Sequence, residues 1–211
     1  AVVFQLIAER GMETPLDNML ADKEIDFPFC VFFANENWSR RWDGLDQDIL
    51  IAQNYSDEDD IEFIKEISKY LKDKRYIHID GKPLLLIYRP NLFPNMQATV
   101  KRWRKWCIEN GIGEIYLAYP QSFEMKDPTE YGFDAAIEFP PNNSNPPKVE
   151  IESKLISQDF KGVIYDWRIL LERSDSYTKA EYKLFRSANP SWDNTARKKS
   201  NGIIFENSCP N

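Results

Sequence analysis

The sequence predicts an α/β fold on a parallel sheet, and two observations carry that prediction. Apolar runs of strand length alternate with amphipathic helical segments through the middle of the chain. Those runs are apolar at every position, the pattern of strands covered on both faces. About six strands can be counted in 211 residues. That corresponds to an open sheet or to most of a (β/α)8 TIM-type barrel, since a closed barrel takes roughly 250 residues.

The elements follow in order. Thr14 can cap a helix beginning at Pro15, with Leu16, Met19 and Leu20 on one face. The run FPFCVFFA, residues 27–34, is the next strand. The polar and aromatic stretch NENWSRRWDGLDQD then reads as a loop. Ser56 and Asp59 form a capping box for a helix over 57–72, acidic at its start, lysine-rich at its end, with Ile61, Ile64, Ile67 and Leu71 in one stripe. Gly81 turns the chain into a strand over 83–88. A helix over 95–110 carries Met96, Val100, Trp103 and Cys107 at helical spacing and ends at Gly111. Strands over 114–119 and 133–139 follow, and PPNNSNPP (140–147) breaks the pattern. GVIYDW and KLFRSA are further strands around a short helix over 167–173, and GIIFE (202–206) is the last strand. A single domain over 1–211 is expected.

Composition narrows the function. With 42% hydrophobic and 14% aromatic residues the chain is not disordered. No apolar run reaches the ~18–20 residues of a membrane span. A net charge of −7 and a pI near 4.9 disfavour a general nucleic-acid binder. The single histidine, His78, excludes a zinc site built on several histidines, and is expected to be structural. Lys101, Arg102, Arg104 and Lys105 surround Trp103 and read as a solvated helix face over a buried indole. Cys30, Cys107 and Cys209 lie far apart without a CxxC pair, which fits a reducing compartment, here the cytoplasm. The opening AVVFQLIAERG has no initiator Met, basic region or cleavage site, so a piece of a longer protein or a processed product is expected. The phosphate-cradling, zinc-protease and nucleophile-elbow motifs are absent from the sequence.

Parallel α/β sheets carry their active sites at the C-terminal ends of the strands. The strands deliver Asn35 and Glu36, then Tyr88 and Arg89, then Tyr119, then Glu138 to that rim. The segment ANENWSRRWDG concentrates Trp38, Arg40, Arg41, Trp42 and Asp43 beside Glu36. An indole offers a platform for the apolar C–H face of a sugar, while carboxylates and arginines hydrogen-bond its hydroxyls. The competing reading makes Trp38 and Trp42 packing residues and pairs Arg40 and Arg41 with Asp43 and Asp46. Glycoside chemistry needs two carboxyl groups, about 5–5.5 Å apart for retention or about 6.5–9.5 Å for inversion. Glu36 and Glu138 are the first candidates, with Asp166 in IYDW and Asp193 in SWDNT as second choices.

The runs FPFCVFFANENWSRRWDG, ILIAQNY, RYIHIDGKPLLLIYRP, FDAAIEFPP and SWDNTARK, in that order, resemble the WbsX-type proteins, named as glycosyltransferases and also described as glycoside hydrolase family 99-like. The resemblance extends from about Pro15 to Pro210. It implies a (β/α)8 barrel and a role in bacterial surface polysaccharide metabolism, at O-antigen or capsule loci. It leaves open whether glycosidic bonds are made or broken. In the related family 99 endo-mannosidases the key glutamates lie in a Trp-Asn-Glu-Trp-x-Glu-Gly motif, which this sequence lacks. No residue here inherits those roles, and an incomplete barrel, cut short at both ends, is expected.

Three readings result. The preferred one is a hydrolase-type enzyme without metal or organic cofactor. In it Glu36 and Glu138 face one another, Trp38 and Trp42 are the platform, and Arg40, Arg41 and Arg89 orient hydroxyls on an oligosaccharide or polysaccharide. The second is a glycosyltransferase with a nucleotide- or lipid-linked sugar donor. DEDD (57–60) reads as a helix start and not as a DxD metal motif, which counts mildly against a metal-dependent form. The third is a non-catalytic glycan-binding barrel fragment.

Overall fold

A computed structural model describes residues 2–6, 13–40, 45–140, 148–149, 159–175 and 179–208; within these, side chains are described outside 2–6, 13, 38–40, 45–51 and three positions of 171–174. In chain order the elements are β1 (Val2–Leu6), α1 (Glu13–Ala21), β2 (Phe29–Phe33), β3 (Trp38–Arg40), β4 (Leu45–Ile51), α2 (Asp57–Leu71), β5 (His78–Ile79) and β6 (Lys82–Ile87). They continue with α3 (Met96–Glu109), β7 (Tyr116–Pro120), β8 (Ala135–Ile137), β9 (Val163–Asp166), α4 (Arg168–Ser174), β10 (Leu184–Phe185), α5 (Thr195–Lys198) and β11 (Ile203–Glu206).

The main sheet has the order β1-β2-β6-β7-β8-β10 with every pair parallel, and β5 folds back antiparallel on β6. This is the parallel α/β architecture expected from the all-apolar runs. The closed barrel is not found: among the described residues nothing pairs β10 with β1. The cause is local. After β8 the chain leaves the main sheet, and β9 pairs in parallel with β11 in a sheet of its own. Only the two-residue β10 returns to the vacant edge of β8.

Two elements differ from expectation in kind or extent. Residues 38–40 and 45–51 are not loop but the antiparallel hairpin β3–β4, with an irregular register. Their mixture of tryptophan, arginine and aspartate lacks the apolar alternation that announces a strand, because backbone pairing, not burial of one face, defines it. Helix α1 begins two residues before the position that Pro15 suggested. Proline is still within the first turn, where its missing N–H costs nothing.

The helices pack where their stripes predicted. Ser56 Oγ accepts from Asp59 N at 3.0 Å to start α2, whose Ile64, Ile67 and Leu71 are buried. Asn95 caps α3, and Gly111, at φ +73°, closes it in the left-handed region. Trp103 is fully buried and donates to the Asp60 carbonyl at 2.8 Å. The basic face around it is only partly solvated. Arg102 donates to the buried Asp60 carboxylate at 2.6 Å, and Arg104 to Asp134 at 2.9 Å.

Two buried groups tie separate elements, one between the central strands and one at α1. The Tyr76 hydroxyl accepts from Val31 N of β2 at 3.0 Å and donates to Leu84 O of β6 at 2.6 Å. The Arg75 guanidinium donates to the carbonyls of Met19, Leu20, Asp22 and Ile25 at the end of α1, and its Nε to Asp73 at 2.8 Å. His78 is exposed on β5, its Nδ1 lying 2.7 Å from the Tyr76 carbonyl. Among the described residues no helix is long and apolar enough to cross a membrane.

Candidate active site

The rim is built outward from β2. Asn35, two residues past that strand, is completely buried. Its side-chain oxygen accepts from Arg89 N at 2.8 Å, while its Nδ2 donates to Arg89 O at 2.7 Å and to the Tyr55 hydroxyl at 3.1 Å. The Tyr55 hydroxyl in turn donates to Asn35 O at 2.8 Å. Burial pushes the Tyr55 hydroxyl above its ordinary pKa, so it remains a donor at neutral pH. A short buried amide thus replaces the ladder where β2 and β6 end, and fixes the backbone that carries the next residues.

On that frame Arg89 Nη1 donates to Glu36 Oε1 at 2.5 Å, with both side chains about four-fifths buried. The Arg89 Cζ also lies 3.9 Å from the centroid of the Phe123 ring. Tyr88 is half-buried and packs edge-on against Phe32 and Phe123, and at a tilt against Phe139. Arginine, carboxylate and a cluster of rings therefore meet at the ends of β2, β6, β7 and β8.

Glu138 directly follows β8, and its backbone N–H continues the ladder to Phe185 O of β10. Its carboxylate pairs with Arg186 and accepts from Ser187 N at 3.0 Å. Glu36 and Glu138 thus stand on one rim, each bonded to a different arginine. Strands β2 and β8 are three places apart in the sheet, or roughly 14 Å at ~4.8 Å per place. Alternation along β8 also gives Glu138 the opposite face from Phe139.

The other candidates are placed as follows. Tyr119 is fully buried, donates to Lys126 O at 2.5 Å and packs on Tyr131 and Phe133. It is a core residue, contrary to the rim role expected, because its side chain alternates toward the helix-covered face. Asp166 ends β9 in the separate sheet, bonded to Arg168 at 2.5 Å, a contact that holds its carboxyl well below the usual range. Asp193 is exposed and accepts from Thr195 N and Oγ1 at 2.8 and 2.7 Å at the start of α5. Trp38 and Arg40 belong to β3, but their side chains lie outside the described residues, as do Arg41, Trp42 and Asp43 entirely.

Sequence reasoning missed Tyr55, Phe123, Arg186 and Ser187. Arg186 and Ser187 had a readable signal, since they follow an apolar pair that forms a strand. Phe123 had a weaker one, as the second residue after Gln121 in the loop leaving β7. Tyr55 had none, because its role depends on the burial of Asn35. Among the described residues no group of three or more histidine, cysteine, aspartate or glutamate side chains is arranged to hold a metal ion.

A solved structure described as a glycoside hydrolase-like protein superposes with a TM-score of 0.54 at 17% identity, over 97% of this chain and 62% of that one. At that identity the likeness concerns the fold alone. Two proteins of Xanthomonas campestris pv. campestris, from strains B100 and ATCC 33913, are 45% identical over 199 residues, and both are called uncharacterized protein WxcX. The match covers 94% of this chain and 29% of each relative, so the chain spans less than a third of the length of those proteins. The sequence model described as glycosyltransferase WbsX matches residues 4–211, and the chain therefore belongs to the WbsX glycosyltransferase family.

Proposed function

We propose that this chain carries the sugar-contacting rim of a carbohydrate-active enzyme of bacterial polysaccharide metabolism, acting on glycosidic bonds through carboxylates. The observation that carries this reading is the Glu36–Arg89 pair, held by the buried Asn35 at the mouth of a parallel sheet and flanked by aromatic rings. Family membership and a hydrolase-like fold neighbour support it. Glu36 acts as acid/base at the glycosidic oxygen, and Arg89 orients its carboxylate. Glu138 is the second candidate carboxyl group, but Arg186 holds it on the opposite face from the rings, so it must turn to meet Glu36. A closed (β/α)8 barrel in the longer protein would have to bring these two within the separation that retention or inversion needs. In this reading Trp38, Arg40, Arg41, Trp42 and Asp43 contact the substrate. Two-carboxylate hydrolysis uses neither metal nor organic cofactor.

The test is Glu36→Gln in the full-length protein. The amide keeps the shape of the carboxylate but cannot exchange a proton. Turnover of extracted bacterial surface polysaccharide should fall about 10²–10⁴-fold while binding is kept. Unchanged turnover would remove Glu36 from the chemistry.

A second reading, transfer from an activated sugar, is favoured by the family description. Thermal stabilisation by nucleotide sugars but not by free oligosaccharides would select it.

A further inference from the structure

We infer that the loop leaving β7, residues 121–127, is a saccharide subsite in which Phe123 receives the apolar face of a neutral pyranose. The inference rests on the carbohydrate reading above and deepens it.

Three features converge on this loop. First, Phe123 is 54% exposed, although it is a large apolar residue at the mouth of the sheet. Its position is nevertheless fixed. The Arg89 guanidinium lies against one side at 3.9 Å, and Tyr88 packs edge-on at 5.7 Å between centroids. An exposed ring with one side pinned and the other in solvent is a platform ready for a flat apolar partner. A disordered surface phenylalanine would lose ordering entropy on binding, whereas this one has lost most of it already.

Second, the base of the loop holds unused hydrogen-bonding capacity. Gln121 is 1% and Ser122 6% exposed, yet Gln121 Oε1 and Ser122 Oγ have no partner. Gln121 Nε2 does bond, donating to the Tyr182 hydroxyl at 2.7 Å, which fixes the amide in place. Two adjacent buried acceptors without donors are uncommon in a folded chain and costly to keep. Sugar hydroxyls would satisfy them after a small opening of the loop.

Third, the charge at the subsite is already balanced. The Arg89 charge is met by Glu36 at 2.5 Å, and Lys126 lies 3.9 Å from Glu124. A uronate would compete with the Glu36 and Glu124 carboxylates for these cations. A neutral ring meets no such competition.

The test uses the full-length protein and a panel of methyl hexopyranosides (gluco, manno and galacto) with methyl glucuronide as the anionic control, read by saturation-transfer NMR and titrated for Kd. The wild type should take transfer from at least one neutral glycoside through its ring C–H protons, and bind methyl glucuronide more weakly. Phe123→Ala should weaken the neutral glycoside about tenfold, and Phe123→Tyr should restore it. Unchanged far-UV circular dichroism is expected for both, because the residue is largely exposed. Equal binding by wild type and Phe123→Ala overturns the assignment while leaving the carbohydrate reading intact. Preference for the glucuronide overturns the neutral specificity. A wild type that takes no transfer from any glycoside overturns both the subsite and the reading beneath it.

Discussion

A single hydroxyl oxygen does the work of a backbone group at the centre of this sheet. Tyr76 reaches between β2 and β6, accepting from one strand and donating to the other. Burial raises its pKa well above the ordinary tyrosine value, so it stays a neutral donor and acceptor across the physiological range. Tyr76→Phe keeps the ring, its edge-on contact with Phe29 and almost all of its volume. It leaves Val31 N–H and Leu84 C=O without the hydroxyl that joins them. Urea denaturation should show a loss of about 1–3 kcal/mol, the cost of buried unsatisfied polar groups, far above the effect of removing one surface oxygen. Asn35 follows the same logic nearer the site. Its amide satisfies groups on two chain segments, which explains why a polar residue at a strand end is completely buried. The sequence showed the polar residue and its position at the rim, but not its burial, since burial depends on Arg89, 54 residues away.

Helix α1 is joined to the turn after α2 by Arg75, which collects the last carbonyls of one element and the Asp73 carboxylate of the other. This guanidinium lowers the Asp73 carboxyl to about 2 from its ordinary 3.8. A carboxyl depressed in the folded state contributes stability above its unfolded value, and that contribution drains away as pH falls. Stability should decline as pH drops from about 4 toward 2, and Asp73→Asn should flatten the decline. Thermal melts of both proteins across that window check it; parallel curves would show that Asp73 is not involved. Part of the wild-type slope belongs to Asp17, lowered by Lys69, and to Asp166, lowered by Arg168, so only the difference between the two proteins is diagnostic. At the same scale, α2, β6 and α3 were legible because each announces itself through one dominant signal: a capping box, an unbroken apolar run, a stripe ended by glycine. The β3–β4 hairpin was not legible, because its pairing is carried by the backbone and its residues show no strand alternation, so the Asp43-Gly44 dipeptide stood without flanking strands to frame it.

For the molecule as a whole, one continuous core joins β2, β6, β7 and β8 to the inner faces of α1, α2 and α3. Cys30 and Cys107 are sealed in it, their thiols pushed up by burial to about 11 and about 12. Both should resist an aromatic disulfide reagent at a pH of about 8 and react together when denaturant opens the core. Staggered release of the two thiols would show that the core opens in parts. The parallel order of the sheet was readable because alternating strands and helices admit few arrangements. The departure of β9 was not, since VIYD and LF look equally able to join β8, and only long-range pairing chooses between them. That choice has a reach beyond its own residues. Because Val163–Asp166 lean on Ile203–Glu206 for their parallel neighbour, and Trp192 and Asn194 bond to that same strand, removing residues 203–206 would unmake a segment far upstream together with the stretch that leads into α5.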